Sequence, residues 1–265
     1  MTITSSSEQP PVSKELLSLA LELVKEAGEL TLKYFRSTDL EVVTKQDGTP
    51  VTIADQGAEA LIRARLGELR PNDTVVGEED GLREGSSGHR WIIDPIDGTK
   101  AFTHGVPLYS NLLALEDEHG PAIGVINLPA LGETVWAGRG RGCFCNDEPA
   151  TVSTTNQVSE AWLMTSGLTN WPAPLFNTLK QSGIHVRTWG DGYGYALVAT
   201  GRADVMLDPE VSLWDVAPMP VILSEAGGRF SSTNGREGAH NGSGLATNGV
   251  LHDELIKLLS PTGIH

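Results

Sequence analysis

The chain has 265 residues, of which 39% are hydrophobic and 20% charged, a composition typical of a globular protein with a sizeable core. Its net charge of −15 argues against a nucleic-acid surface, and no run approaches the roughly 18 apolar residues of a membrane span.

Residues 1–12 lack the apolar centre of a secretory signal, so we expect a disordered tail and a cytoplasmic protein. The only cysteines, Cys143 and Cys145, are too close for an unstrained bridge and lack partners for zinc, so we expect free thiols.

The first part of the chain predicts helices. Residues 13–35 carry an apolar stripe at helical spacing, with Ser13 as the candidate N-cap. The Asp-Gly and Thr-Pro pairs within residues 45–55 predict a turn or short hairpin. A second helix is expected over residues 58–69, with Asp55 at its N-terminus.

Strands and helices alternate through the rest of the chain. Two short buried strands, at residues 74–76 and 90–94, each end in acidic residues. Further strands are expected at residues 109–117, 122–129, 133–138, 161–166 and 203–208, and further helices at residues 194–201 and 215–228. No linker or repeat divides this α and β mixture, so we predict one α/β (α+β) domain over residues 13–265. Its two lobes, about 13–150 and 151–265, would share one site.

The segment WIIDPIDGTKAF, residues 91–102, places two carboxylates at the end of an apolar strand. Asp94 and Asp97 flank Pro95, which fixes a turn able to direct both carboxylates and the Ile96 carbonyl into one space. Carboxylates held this close repel unless they are protonated or neutralised, and a divalent cation such as Mg²⁺ is the simplest neutraliser. Taken alone, the segment is equally consistent with a capped turn.

Two further acids stand at the ends of predicted elements. Glu78 follows a strand, and Asp215 lies near the start of a late helix. Singly, Glu78 is consistent with a solvated surface acid and Asp215 with a helix N-cap. Because open α/β sheets place their ligands at strand ends, the joint pattern favours a metal site.

Three motifs together resemble the inositol monophosphatase family of Mg²⁺-dependent, lithium-sensitive sugar phosphatases. They are GEED at 77–80, DPIDGTKAF at 94–102 and WDVA…EAGG between 214 and 228, with PVTIAD, FTHGVP and GRADVMLDP also similar to the family. The resemblance implies a layered αβαβα sugar-phosphatase fold with one site between two lobes. It also implies a homodimer and a small-molecule phosphate ester as substrate, while the charge and the lack of a long apolar run predict no nucleic-acid or membrane partner.

The resemblance further implies two or three Mg²⁺ ions per site. The implied ligands are Glu78, Asp94 and the Ile96 carbonyl for the first ion, Asp94, Asp97 and Asp215 for the second, and Glu78 for a weaker third. Pro218 and Pro220 depart from an ordinary helix after Asp215, so we expect a kink there that could shift this ligand.

The same resemblance assigns the catalytic and phosphate-binding groups. Thr99 and Asp55 match the pair that orients and deprotonates the attacking water. Backbone N–H groups around Gly98 and Thr99, and around Gly190 to Gly192 at a helix start, match the phosphate cradle. Glu78 and Asp215 would border the same substrate.

The sequence WGDGYGY, residues 189–195, resembles the histidinol-phosphate phosphatase branch of the family. An aspartate beside a phosphate cradle is favourable where it faces a positive group, and L-histidinol phosphate carries an ammonium and an imidazole. We therefore expect Asp191, assisted by Asp208 or Glu210, to face this cationic end, although capping of the helix by Asp191 remains open.

The predicted reaction is hydrolysis of L-histidinol phosphate to L-histidinol and phosphate by metal-activated water, a step of histidine biosynthesis. The alternatives are an inositol-1-phosphate phosphatase or a broad-specificity sugar or nucleotide phosphatase. A non-catalytic relative that binds metal or phosphate is the remote alternative.

Overall fold

A computed structural model describes residues 9–37, 42–44, 50–169 and 171–263. Its helices are α1 (Lys14–Tyr34), α2 (Ile53–Leu69), α3 (Thr99–Thr103), α4 (Ala173–Ser182), α5 (Asp191–Ala199), α6 (Leu213–Val216), α7 (Met219–Glu225) and α8 (His252–Leu259). Its strands are β1 (Val42–Thr44), β2 (Pro50–Thr52), β3 (Thr74–Gly77), β4 (Gly81–Arg83), β5 (Arg90–Asp97), β6 (Ser110–Asp117), β7 (Gly120–Leu128), β8 (Glu133–Gly138), β9 (Gly142–Cys145), β10 (Glu148–Pro149), β11 (Trp162–Met164), β12 (His185–Arg187), β13 (Val205–Asp208), β14 (Arg229–Ser231) and β15 (Gly244–Thr247).

Five layers of helices and sheets form the fold. An eight-stranded sheet has the order β10-β9-β8-β7-β6-β5-β3-β4, and a five-stranded sheet has the order β12-β11-β13-β15-β14. Helices α1 and α2 cover the outer face of the large sheet, and α5, α6 and α7 lie between the two sheets. Helices α4 and α8 pack on the outer face of the small sheet. The predicted αβαβα layering is therefore confirmed.

Burial on both faces explains the continuous apolar runs of the central strands. Leu113 and Val125 pack with α1 and α2, whereas their neighbours Leu112 and Ile126 pack with α5 and α7. A strand covered on both faces needs apolar residues at successive positions instead of alternate ones. This is why the apolar lead-in of β5 can carry charged residues to the region between the sheets.

The predicted first helix is confirmed and the second begins earlier than predicted. Leu16 N donates to Ser13 Oγ at 3.1 Å, as expected for the N-cap of α1. Helix α2 begins at Ile53 because Thr52 caps it and Asp55, at the third helical position, completes a capping box. The predicted hairpin is present as the β1–β2 pair, while residues 45–49 between them lie outside the described residues.

The predicted helix over residues 215–228 is divided into α6 and α7. Pro218 and Pro220 have no N–H to donate to the carbonyls four residues earlier, so the hydrogen-bond ladder stops between the two helices. Pro220 lies in the first turn of α7, where a missing donor has no intrahelical partner to lose. The helix is thus interrupted where a kink was expected, and Asp215 remains in the first turn of α6, where its Oδ2 accepts from Ser212 N at 2.8 Å.

The predicted tail falls outside the described residues as far as residue 8. Val12, at its end, is buried, and its N–H donates to Arg139 O at 3.0 Å, so this part of the segment is bound to the large sheet. Strands β3 to β10 belong to the large sheet and β11 to β15 to the small one, so the chain passes from one sheet to the other between Pro149 and Trp162, close to the lobe boundary predicted at residue 150. Among the described residues, no helix combines the length and apolar character needed to cross a bilayer.

A buried histidine gives the fold a pH-dependent stability. His252 Nε2 lies 3.0 Å from Ser231 Oγ and its Nδ1 lies 3.0 Å from Thr247 Oγ1. Burial, and secondarily the charge of Arg229, lowers its pKa to about 4. Between about pH 6.5 and this value the unfolded chain binds a proton that the folded chain excludes, so the free energy of unfolding falls as the pH is lowered, by up to about 3 kcal/mol.

Urea unfolding at about pH 7 and about pH 4.5 tests this expectation. Wild type should lose more stability over this interval than His252→Gln, which has no titrating ring. Equal losses in the two proteins would contradict the assignment.

Candidate active site

The predicted site residues converge on one cavity of about 590 Å³ between the two sheets. The cavity is lined by Glu78, Asp94, Ile96, Asp97, Gly98, Thr99, Gly190, Asp191, Asp208, Glu210 and Asp215. The two remaining predicted residues lie directly behind this lining. Asp55 approaches Thr99, and Gly192 contacts Asp97 through its backbone. The structure thus brings together acids that are up to 160 positions apart in the chain.

An irregularity at the end of β5 directs its two carboxylates. Asp94 pairs with Leu112 and Asp97 with Ser110, so β5 carries one residue more than β6 across this interval. Pro95 is tolerated there because a bulge leaves a residue outside the regular ladder. The extra residue re-aims the strand end, and both carboxylates reach the inter-sheet cavity.

Three carboxylates, of Asp94, Asp97 and Asp215, each have an oxygen within 4.8 Å of the others. Burial, followed by the charges of Glu78 and Asp97, raises the pKa of Asp94 well above its usual value. Burial and the neighbouring acids Asp191 and Asp215 do the same for Asp97. Burial, with Glu78 among the neighbouring acids, raises the pKa of Asp215 to about 7. Burial and mutual repulsion therefore oppose the simultaneous ionisation of the three carboxylates.

The donor atoms of this cluster fit a divalent cation. Asp94 Oδ1 is buried and has no hydrogen-bond partner among the described residues. Leaving a buried carboxylate oxygen unpaired is costly, and a hard cation with oxygen ligands satisfies it. Glu78, in the turn after β3, and Ile96 line the same cavity. Thr99 Oγ1 donates to the Ile96 carbonyl at 3.0 Å, which leaves that oxygen a second lone pair.

Thr99 and Asp55 are adjacent, as the motif predicted. Thr99 begins α3, and its Oγ1 lies 3.4 Å from Asp55 Oδ1. The other Asp55 oxygen, Oδ2, accepts from Thr52 N at 2.8 Å and Thr52 Oγ1 at 2.5 Å. Burial is the main cause that raises the pKa of Asp55, and the charge of Glu78 adds to it. One carboxylate therefore caps α2 with one oxygen and faces Thr99 with the other.

Glycines allow the two halves of the site to approach closely. Gly98 has φ +79°, and a Cβ there would lie 2.9 Å from Asp191 Oδ2. A Cβ at Gly192 would overlap Ser110 Oγ, which donates to Asp97 Oδ2 at 2.8 Å. These positions need glycine because the strand end of the large sheet meets the start of α5 there.

Two backbone N–H groups at the start of α5 already donate hydrogen bonds to side chains of the protein. Asp191 N donates to Ser166 Oγ at 2.9 Å, and Gly192 N donates to Asp97 Oδ2. Two of the N–H groups predicted to hold phosphate are therefore already paired, and phosphate binding by them would require these bonds to break. Gly98 and Thr99 line the open cavity and remain the better-placed part of the predicted cradle.

Asp191 lies at the first helical position of α5, and Gly190 takes the N-cap position. Asp191 is therefore not the N-cap residue of α5, and the alternative that it caps this helix is wrong. Its φ of 54° is uncommon for a residue with a side chain and indicates local strain of the kind found at functional sites. Burial, followed by the charge of Asp208, raises its pKa to about 6, while the nearby Ser166 side chain and the charge of Lys100 act in the opposite direction.

Asp208 is engaged with the protein more than with the cavity. It accepts from Ser166 N at 2.9 Å, Ser166 Oγ at 3.0 Å and Tyr195 OH at 3.3 Å. It thereby fixes Ser166, whose Oγ accepts from Asp191 N. Sequence reasoning missed Ser166, although a hydroxyl just beyond a parallel strand, here β11, is a signal that could have found it.

Comparison with known proteins agrees with this arrangement. A model of the inositol monophosphatase family matches residues 13–262. The chain is 43% identical over 258 residues to the histidinol-phosphatase of Mycobacterium tuberculosis, covering 94% of this chain and 99% of that one. It is 45% identical over 246 residues to the histidinol-phosphatase of Chlorobaculum parvum, covering 91% and 95%. The solved structure of an IMPase from Thermotoga maritima superposes with a TM-score of 0.86 at 29% identity, covering 94% and 98%.

Proposed function

The chain belongs to the inositol monophosphatase family, and we propose that it hydrolyses L-histidinol phosphate to L-histidinol and phosphate with the help of divalent metal ions. The chain is a phosphoric monoester hydrolase. The observation that carries the mechanism is the cluster of Asp94, Asp97 and Asp215, in which the buried Asp94 Oδ1 has no hydrogen-bond partner among the described residues. The observation that carries the substrate is the similarity to two histidinol-phosphatases over nearly the whole chain.

The acids of the cavity would hold two or three Mg²⁺ ions. The proposed ligands are Glu78, Asp94, the Ile96 carbonyl, Asp97 and Asp215. Bound divalent ions would neutralise the clustered carboxylates, polarise the phosphoryl oxygens and lower the pKa of water. Mg²⁺ is proposed because the donor set consists of oxygen atoms.

Thr99 and Asp55 would act on the attacking water. The Thr99 hydroxyl would orient the water, and its own proton, directed at the Ile96 carbonyl at 3.0 Å in this structure, would turn to Asp55 Oδ1, 3.4 Å away. A raised pKa makes the Asp55 carboxylate a better proton acceptor than an ordinary aspartate. Because the water itself attacks phosphorus, no side-chain nucleophile is needed.

Asp191 would select the cationic end of the substrate. It lies at the start of α5, in the wall of the cavity beside Gly98. A carboxylate there pairs with the ammonium or imidazole of L-histidinol phosphate, whereas inositol phosphate offers no positive group. Asp208 supports this arrangement through Ser166, and Glu210 lines the same cavity.

Asp191→Asn should raise KM for L-histidinol phosphate by about tenfold or more, because a charge-assisted hydrogen bond is worth about 1.5–3 kcal/mol. KM for inositol-1-phosphate should stay the same. Asn tolerates the positive φ of this position, so the backbone is expected to hold. Glu210→Gln is the matched control that separates its contribution from that of Asp191. An unchanged KM for L-histidinol phosphate in Asp191→Asn would refute this role.

A side-by-side assay of phosphate release tests the function as a whole. The substrates are L-histidinol phosphate, inositol-1-phosphate, adenosine 3′,5′-bisphosphate and fructose 1,6-bisphosphate, each with Mg²⁺ and with or without Li⁺. We expect the highest kcat/KM for L-histidinol phosphate. A higher kcat/KM for inositol-1-phosphate would favour the alternative phosphatase, and no release from any substrate would favour a non-catalytic relative.

The same proposal includes a place in histidine biosynthesis, a cytoplasmic location and a homodimer. The thiols of Cys143 and Cys145 are free, which fits a reducing compartment. The homodimer is proposed from the family resemblance.

A further inference from the structure

We propose that Glu59, a buried carboxylate on α2, is a positioning residue for the metal ligand Glu78. The proposal rests on the proposed function, because it concerns how that metal site is held in shape. Glu59 does not line the active-site cavity, and neither the motifs nor the mechanism assigns it a role. Its side chain is fully buried, which is costly for a carboxylate unless its oxygens are paired.

The partners of Glu59 are the backbone N–H groups that directly follow Glu78. Glu59 Oε2 accepts from Glu79 N at 2.8 Å, and Oε1 accepts from Asp80 N at 3.0 Å. These two bonds fix the turn between β3 and β4, and Glu78 is the first residue of that turn. The direction of the Glu78 side chain is therefore tied to the position of one carboxylate on α2.

Arg63, on the same helix, also holds the turn through hydrogen bonds. Its Nε donates to Glu59 Oε1 at 2.7 Å, and its Nη2 donates to the Gly81 carbonyl at the far end of the turn. Glu59 thus holds the N–H side of the turn while Arg63 holds the Glu59 carboxylate and a carbonyl. The ion pair also compensates the charge of the buried Glu59.

Gly77 provides independent evidence that the end of β3 packs directly against the Glu59 carboxylate. A Cβ at Gly77 would overlap the Glu59 carboxylate, so only glycine allows the strand end to pass so close to it. The φ of Gly77 is not in the left-handed region, so its lack of a side chain is required by contact and not by backbone conformation. The last residue of β3 and the turn that follows are therefore packed directly onto Glu59.

One face of α2 consequently organises two parts of the site. Asp55, Glu59 and Arg63 are spaced four residues apart, which places them along the same side of a helix. Asp55 approaches Thr99, and Glu59 with Arg63 holds the turn that bears Glu78. A small change at Glu59 should therefore alter metal binding while the water-activating pair stays in place.

Glu59→Gln tests this with metal binding as the direct readout. The amide keeps one acceptor, but its NH₂ group cannot accept from an N–H, so one of the two turn bonds is lost. We expect the metal-free variant to bind Mn²⁺ about tenfold or more weakly than wild type, the range for partners that orient a metal ligand. Free Mn²⁺ is measured by electron paramagnetic resonance during titration. In the assay, the Mg²⁺ concentration for half-maximal rate should rise while KM for the phosphate ester at saturating Mg²⁺ stays the same.

Asp73→Asn is the matched control. Asp73 is also a buried carboxylate beside β3, and it accepts from the side chains of Arg70 (Nε, 2.8 Å), Trp91 (Nε1, 2.9 Å) and Ser87 (Oγ, 2.6 Å). It directly precedes β3, whereas Glu78 directly follows it. Asp73→Asn should lower the melting temperature without weakening Mn²⁺ binding. Should Glu59→Gln not fold, Arg63→Gln removes the ion pair with Glu59 and the bond to the Gly81 carbonyl. It should weaken Mn²⁺ binding in the same direction, but less.

The outcomes separate this inference from the function on which it rests. Wild-type affinity for Mn²⁺ in Glu59→Gln, or in Arg63→Gln where that variant is used, would overturn the positioning role and leave the phosphatase proposal intact. Equal weakening in Asp73→Asn would also overturn it, because the effect would then be general destabilisation. Absence of Mn²⁺ binding by wild type would overturn the metal site itself, and the inference with it.

Discussion

Asp94→Asn is expected to abolish phosphate release and at the same time to stabilise the metal-free fold. Asp94 is buried, its Oδ1 is unpaired among the described residues, and its neighbours Glu78, Asp97 and Asp215 are all acids. Removing its charge takes away a ligand shared by two proposed ions, and we expect kcat to fall about 10³-fold or more. Removing the same charge also relieves repulsion in the metal-free protein, which should gain on the order of 1–2 kcal/mol.

The opposite signs of these effects make the experiment decisive. Melting temperatures are compared with EDTA and with Mg²⁺, and kcat is measured at saturating Mg²⁺. Mg²⁺ should raise the melting temperature of wild type more than that of Asp94→Asn. Asp208→Asn is the control, because Asp208 is equally buried but accepts hydrogen bonds from Ser166 and Tyr195, so the metal-free variant should lose stability. A metal-free Asp94→Asn less stable than wild type would contradict the assignment.

Residues that act through short local segments were predictable from the sequence. Asp94 and Asp97 flank a proline turn and Thr99 follows two residues later, so this short segment, taken together with Glu78 and Asp215, indicated a shared site. A kink after Asp215 was also predictable from Pro218 and Pro220, because a missing N–H weakens the hydrogen-bond ladder, although the full division into α6 and α7 was not predicted. In each case the cause lies within a few residues of the effect.

Residues that act across layers were not predictable in the same way. Ser166 connects Asp208 to Asp191 only because β11 and β13 are neighbours in the small sheet. Glu59 contacts the turn after β3 only because α2 packs on the large sheet. Neither connection has a sequence spacing that would reveal it. The same holds for the phosphate cradle predicted at Gly190 to Gly192. The sequence does not reveal that Ser166 and Asp97 accept from its N–H groups, because both acceptors lie on other elements of the fold.

The two oxygens of Asp55 have separate tasks, and two substitutions can distinguish them. Asp55→Asn should lower kcat by about 10²–10⁴-fold, because the proposed proton acceptor is lost. It also weakens the capping box of α2, so a loss of activity alone would not identify the cause. Thr52→Ala removes the capping hydroxyl while leaving Asp55 Oδ1 toward Thr99. It should cost about 1 kcal/mol of stability and keep most of kcat.

The pH profile of Thr52→Ala provides the sharper distinction. The hydrogen bond from the Thr52 side chain lowers the pKa of Asp55 against the larger effect of burial, so its removal raises that pKa further. A proton acceptor works only when deprotonated, so activity falls as the pH drops through its pKa. The acidic limb of the kcat profile should therefore move to higher pH in Thr52→Ala. An acidic limb that stays in place, together with an Asp55→Asn enzyme that loses no more activity than Thr52→Ala, would show that Asp55 serves the helix and not the water.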